Sequence, residues 1–403
     1  MPTKLKPEER RVLLLLAAVQ FLAFLDFEFM MPLGPYIGPD LRVNASQLGE
    51  LVSAYTFAGM AGALVYARYA DRWDKRGTLL WLSSGLALGT LLCGLAPGYW
   101  SLLAARLIAG SMAGPAGAAV LAIVSEVVPE ERRGQAMAIV FGGFTAASVV
   151  GLPISIACAD HFGWRRPFMG LAVVSVALIP LVRAQLPRSP KVTPPDHAKL
   201  RSKLYQQSII WLAWSGMAVL MIADFSFVPF LPSFLTGNLG IPKSALAYAY
   251  AAGGLTTLVT FQGAGKLTDR FGSFPVHGVA ALATALVLAV SLLGVPSPVG
   301  AAVGMGIIAS IFFVNAPRVL SAMTLFTKAP SEFQRGEFLA LQNVVQQGAI
   351  GLGSLLGAFW IGGDAGGRVE HAERLLYQNW AGLALGLVLV WRLEQRVQNR
   401  GTA

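Results

Sequence analysis

Apolar residues run in long blocks along this chain, and polar residues collect in the short gaps between them. From Val12 the sequence reads VLLLLAAVQFLAFL before it meets its first acid, and blocks of similar character follow almost end to end. A helix needs about 20 mostly apolar residues to cross a bilayer. Windows of that kind fall near 12–35, 46–68, 77–97, 100–127, 134–160, 164–186, 209–236, 243–265, 274–294, 297–327, 336–361 and 376–393. The pattern predicts an all-α integral membrane protein with twelve transmembrane helices, numbered here span 1 to span 12.

Composition agrees and excludes a soluble domain: 55% of residues are apolar and 13% are charged. The net charge of +10 changes the picture only through its placement. With both termini on the cytoplasmic side of a bacterial inner membrane, about 23 Lys and Arg fall in inner loops and about six in outer ones, as the positive-inside rule requires. The basic residues form no single stripe, so nucleic acid is not an expected partner. The apolar N-terminal run lacks a small-residue cleavage site, and it reads as the first span rather than a signal peptide. Cys93 and Cys158 both fall inside spans, without ligand spacing to any histidine, and read as structural.

The chain repeats itself. LDFEFMMP at 25–32 returns as ADFSFVPF at 223–230, and YADRWD at 69–74 returns as LTDRFG at 267–272, both at a shift of 198. PEERRGQAMA at 129–138 matches PSEFQRGEFLA at 330–340 with a few residues of slippage. Three matches in one order imply two six-span bundles, residues 1–186 and 209–403, joined by a Pro-rich then basic cytoplasmic linker at 187–208. The second part of that linker suits either a short amphipathic helix on the membrane surface or a solvated loop. Parallel six-span repeats are the plan of transporters that rock about a site between the halves.

The motifs carry a resemblance. Gly265, Asp269, Arg270 and Gly272 in GKLTDRFG, with Arg106, Gly110 and Gly114 in span 4, resemble signatures of the major facilitator superfamily. Within it the chain resembles the bacterial drug:proton antiporter branch, of arabinose-efflux-permease type. The resemblance implies a proton-coupled exporter of a small organic solute, with a small-molecule substrate, protons and the lipid bilayer as partners. It implies a monomer and no cofactor. It also implies a cytoplasmic gate built on Asp71, Arg72, Gly265, Asp269 and Arg270. The first copy of the gate departs from the pattern: Ala67 and Asp74 stand at its glycine positions. An Asp tolerates a left-handed turn better than most residues, so Asp74 is expected to keep the turn. Span 5 separates Gly151 from Pro153 by Leu152, out of the order usual for antiporters of this branch.

Candidate chemistry lies in the charges inside the spans, where an acid costs roughly 2.5–3.5 kcal/mol on an insertion scale. Asp26 and Glu28 lie about 200° apart on a helix, so one narrow cavity takes both only if the helix is distorted near Pro32. The repeat sets Asp26 over Asp224 but Glu28 over Ser226. Asp26 is therefore assigned to the central cavity, and Glu28 either joins it or pairs sideways. Arg106 lies at a matching depth and is the expected partner of Asp26. The pair is either a proton-coupling device or a fixed strut.

Further candidates for the substrate cavity are Asp224, Asn315, Arg318, Gln342 and Gln346. Arg318 suits an anionic substrate, or an anchor to Glu126 or a helix end. Gln342 and Gln346, with Asn343 and Gln347 on the adjoining face, suit a cavity wall or polar contact between helices. The four histidines are scattered, and neither a phosphate-cradling loop nor a nucleophile elbow is present. No enzymatic or metal chemistry is expected. A uniporter or importer of a sugar-like or anionic metabolite is the alternative within transport, and a non-transporting membrane sensor is the alternative outside it.

Overall fold

Span 1 is two helices rather than one. Pro7–Glu28 ends in turns, and Gly34–Leu41 resumes the helix beyond them. Pro32 has no N–H to donate back along the ladder, and the chain crosses the gap through the Leu33 N–H to Phe29 and the Gly34 N–H to Met31. Span 7 breaks at the equivalent place: Ser208–Phe225 gives way to short turns that end at Asn238. The computed structural model describes residues 5–69, 73–129, 132–186, 204–295, 297–331, 334–362 and 368–401.

The other spans follow the sequence reading with modest shifts at their borders. Spans 2, 3 and 4 are Ala45–Tyr69, Lys75–Leu95 and Tyr99–Val127. Span 5 runs from Arg133 to Ala146, widens into a π-helical turn at Ala147–Gly151 and continues as Leu152–Phe162; span 6 is Arg165–Gln185. In the second half, spans 8 and 9 are Ala245–Phe271 and Ser273–Leu293, and spans 10 and 11 are Ala301–Phe326 and Arg335–Trp360. Span 12 is longer than its apolar window, at Ala372–Gly401. The expected linker falls largely outside the described residues, and the second half begins at Ser208.

Among the described residues, eight helices are long and apolar enough to cross a membrane on their own account. Spans 1, 8, 11 and 12 fall short of that measure. Asp26 and Glu28 dilute span 1, glycines and threonines dilute span 8, amides dilute span 11 and charged ends dilute span 12. Inside a bundle, such helices turn their polar residues toward neighbours instead of lipid.

The cores show how the halves meet. One apolar cluster takes residues from both halves, including Phe29, Leu33, Leu51, Phe230, Leu235 and Ile361, and lies on the side away from the termini. On the terminal side the halves keep separate clusters, Val12 to Leu186 in the first and Leu204 to Leu393 in the second. Spans 5 and 8 splay in the same sense. Gly254 lies against Ser148 and Val149, whereas Gly134 and Gly142 on span 5 and Gly263 and Gly265 on span 8 face open space. The two bundles are closed together at one end and parted at the terminal end.

Candidate functional site

The carboxylate of Asp26 has no exposed surface. Thr90 of span 3 donates to its Oδ1 at 2.7 Å. Arg106 of span 4 donates from Nη1 to the Asp26 backbone carbonyl at 2.9 Å and to Oδ2 at 3.4 Å. The guanidinium lies 3.9 Å over the ring of Tyr55 in span 2, a favourable site for a desolvated cation. Its Nε and Nη2 are buried with no hydrogen-bond partner among the described residues, so this arginine is incompletely satisfied there. The expected Asp26–Arg106 pair forms, but inside the first bundle and not on the wall of an opening.

Glu28 points elsewhere. Its carboxylate accepts from Ser148 Oγ at 3.0 Å, within the π-helical turn of span 5. The two acids diverge as the helical angle requires, and the break at Pro32 comes too late in the chain to bring them to one face. Of the alternatives for Glu28, sideways pairing is the one observed.

The second half holds a matching pair that the sequence reading did not assemble. Arg318 of span 10 donates from Nη2 to Asp224 of span 7. It also reaches Asn315 Oδ1 from Nε at 3.0 Å and from Nη2 at 2.6 Å. His277 Nδ1 donates to the Arg318 carbonyl at 3.0 Å, and Asn379 Nδ2 donates to the Ala223 carbonyl at 2.7 Å. Arg318 is thus spent on Asp224, not free for an anionic substrate and not anchored to Glu126, which pairs with Lys75. Asn315, half-buried, joins this knot through its Oδ1. The missed signal was the repeat itself: spans 1 and 4 of one half correspond to spans 7 and 10 of the other.

The amides of span 11 divide. Gln342 is buried with its Oε1 unpartnered, while Asn343, Gln346 and Gln347 are half-buried. Of the gate residues, Asp71 and Arg72 lie outside the described residues. Asp269 and Arg270 are exposed at the end of span 8, with Arg270 5.2 Å from the Phe271 ring centre. The two copies of the gate turn differ in a way the sequence reading got wrong. Gly272 takes the positive φ of +90° at its position, but Asp74 is extended at φ −61° and caps span 3 by accepting the Gly77 N–H at 2.7 Å. An Asp cap satisfies an orphan helix donor, so the first copy replaces a left-handed turn with a cap.

Paired bundles and buried charge pairs of this kind define a transmembrane transporter. The sequence pattern of the Major Facilitator Superfamily matches residues 16–354, and the chain belongs to that family. The inner membrane transport protein YdhP of Escherichia coli (strain K12) is 26% identical over 345 residues, covering 85% of this chain and 84% of that one. The chloramphenicol resistance protein of Streptomyces lividans is 27% identical over 263 residues, covering 64% of this chain and 67% of that one. Among solved structures, a D-xylose-proton symporter superposes with a TM-score of 0.74 at 15% identity, over 95% of this chain and 97% of that one. Members of the family carry small molecules across membranes through alternating exposure of a site between the two halves.

Proposed function

We propose that this chain is a proton-coupled exporter of a small organic solute in a bacterial inner membrane, with both termini cytoplasmic. One observation carries the reading. The under-satisfied Asp26–Arg106 pair lies one residue from Phe27, whose ring meets Tyr55 at 5.7 Å and Phe225 of the other half at 5.9 Å. A change in the pair therefore has a short path, through Tyr55 and Phe27, to the boundary on which the halves rock. The proton affinity of a buried acid depends on its neighbours: an adjacent arginine favours the ionised form, and desolvation favours the neutral one. Arg106 holds the Asp26 backbone carbonyl more closely than the carboxylate, so it stays tethered when the acid is protonated. A proton moving inward gains about 2.3 kcal/mol per 100 mV of membrane potential, enough to drive a modest solute gradient outward. The resistance protein among the relatives supports the outward direction, and the basic terminal-side loops support the orientation.

The complete burial of Asp26 favours a second reading, in which the pair is a permanent strut in a uniporter or importer. Asp26→Asn separates the two, because the amide keeps shape and hydrogen bonding but carries no exchangeable charge. In proteoliposomes with an imposed pH gradient, wild type should accumulate chloramphenicol against its gradient, and Asp26→Asn should only equilibrate it. Undiminished uphill accumulation by the variant leaves the strut.

A further inference from the structure

Gln20 lies six residues before Asp26 in span 1. Its side chain is 5% exposed, yet it makes no hydrogen bond to any described residue. Its Oε1 and Nε2 nevertheless reach accessible surface, so their hydrogen-bond partner comes from outside the chain, as water or as a solute. Across from it, on span 11 of the other half, Asn343 is likewise without a hydrogen bond and half-buried. The two meet at Gly117 of span 4. A methyl group built on that glycine would find Gln20 Oε1 at 3.8 Å, Gln20 Nε2 at 3.9 Å and Asn343 Nδ2 at 4.0 Å. Two free amides, one from each half, thus converge on the space that a missing side chain leaves open.

The position in the fold sharpens this. The seam between spans 2 and 11 is closed as far as Gly59 against Gln347 and Met60 against Gly348. Asn343 is one helical turn nearer the termini, where the halves part. Gln20 and Phe27 are seven residues apart and share a face of span 1, about 10 Å along its axis. The opening therefore has amide walls at Gln20 and Asn343, and an aromatic end where Phe27 meets Phe225. Among the described residues no formal charge joins this convergence: Asp26 and Asp224 are held by their arginines, and Glu28 is turned to Ser148 on span 5.

We propose that Gln20 and Asn343 form a bridging subsite for an uncharged solute, which offers hydroxyl or amide groups to both halves and an aromatic or apolar end to Phe27 and Phe225. An amide presents both a donor and an acceptor edge, which suits a neutral group that does both and gives an ion no counter-charge. This deepens the transport reading and rests on it for the role of the opening. Binding to both halves at once also makes the solute a link between them.

The test is calorimetric binding to the full chain in lipid nanodiscs, without any gradient, using three probes that share a phenyl ring. They are phenyl β-glucoside (neutral and hydroxylated), phenyltrimethylammonium (cationic) and benzenesulfonate (anionic). The neutral probe should bind saturably, and the two ions should not. Gln20→Leu and Asn343→Leu should each weaken it by about threefold to tenfold, the loss of one modest hydrogen bond. Gly117→Ala guards against misfolding in those variants, since its methyl enters at ordinary contact distance; it should retain the wild-type melting temperature and still weaken the neutral probe. The proposal is overturned if only a charged probe binds, if the neutral probe does not bind, or if all three substitutions leave its Kd unchanged. Because no gradient is applied, failure of proton coupling does not alter these outcomes, and failure here leaves the coupling test standing.

Discussion

Beyond the apolar window of span 1, which ends at residue 35, Asp40 accepts from Trp164 Nε1 at 2.8 Å and from Arg165 Nη1 at 2.5 Å. The Trp164 hydrogen bond first, and then those of Arg165, hold this carboxyl below its ordinary range. A group with a depressed folded pKa stabilises the fold above its unfolded value, about 3.9 for Asp, and that contribution is lost as pH falls through the folded value. Asp40→Asn should therefore lower the melting temperature slightly at pH 7, and the difference should shrink below about pH 4. The Asp40 side chain is 46% exposed, so the effect belongs with surface pairs of about 0–1 kcal/mol. A difference that persists undiminished at pH 3 would assign the loss to packing. Single residues were unevenly legible in the sequence. Asp26 and Arg106 could be paired because depth along two helices is arithmetic, and Asp74 was misjudged because its cap depends on where span 3 begins. Gln20 gave no signal beyond an interruption in an apolar run; its meaning appears only when spans 1, 4 and 11 converge.

Among the helices, spans 2 and 4 approach most closely where the sequence shows R-x-x-x-G-x-x-x-G. A Cβ on Gly110 would stand 2.1 Å from the Tyr55 carbonyl oxygen, and one on Gly114 would stand 2.1 Å from that of Gly59. Both obstacles are backbone, so the helices must separate to admit a methyl group. Gly110→Ala and Gly114→Ala should each cost about 1–3 kcal/mol, the usual penalty for overpacking. Gly170→Ala, at a position with nothing within 4 Å, should cost far less, and thermal unfolding in detergent compares the three. If the span 4 variants melt with the Gly170 control, the close approach is relaxed in the membrane protein. Motif spacing made this contact legible, because small residues one turn apart line a single helix face. The π-helical turn in span 5 was not legible. Pro153 denies a backbone donor to the preceding turn, but whether a helix answers by kinking or by widening depends on its neighbours. Here Glu28 and Gly254 both meet Ser148 in the widened turn.

For the whole molecule, twelve spans and two halves were legible because apolar length and internal repetition survive without any knowledge of packing. Which end stands open was not, since the same sequence must serve both states. The closed end is stitched by serines on spans 2 and 11. Ser46 donates to the Ala358 carbonyl at 2.8 Å, Ser53 to Gly351 at 2.9 Å and Ser354 to Gly49 at 2.8 Å. These bonds exist only while that end is shut, and a contact made in one state alone shifts the balance by its own free energy. At about 0.5–1.5 kcal/mol each, the three together favour the observed state by roughly ten- to a thousandfold. At the parted end, Asp269 is exposed without a described partner, as a latch of the opposite state should be when disengaged. The two ends therefore make opposite predictions. Spin labels introduced at Gln135 on span 5 and Lys266 on span 8, in a background lacking Cys93 and Cys158, report the gap at the terminal end. Combined Ser46→Ala, Ser53→Ala and Ser354→Ala should move the distance distribution toward the short, terminally closed form. Asp269→Asn should move it toward the long form. Unchanged distances in the serine triple variant would mean that apolar closure around Phe230 and Leu51 holds that end without the serines, and an unchanged distribution in Asp269→Asn would reduce that residue to a cap of its own loop.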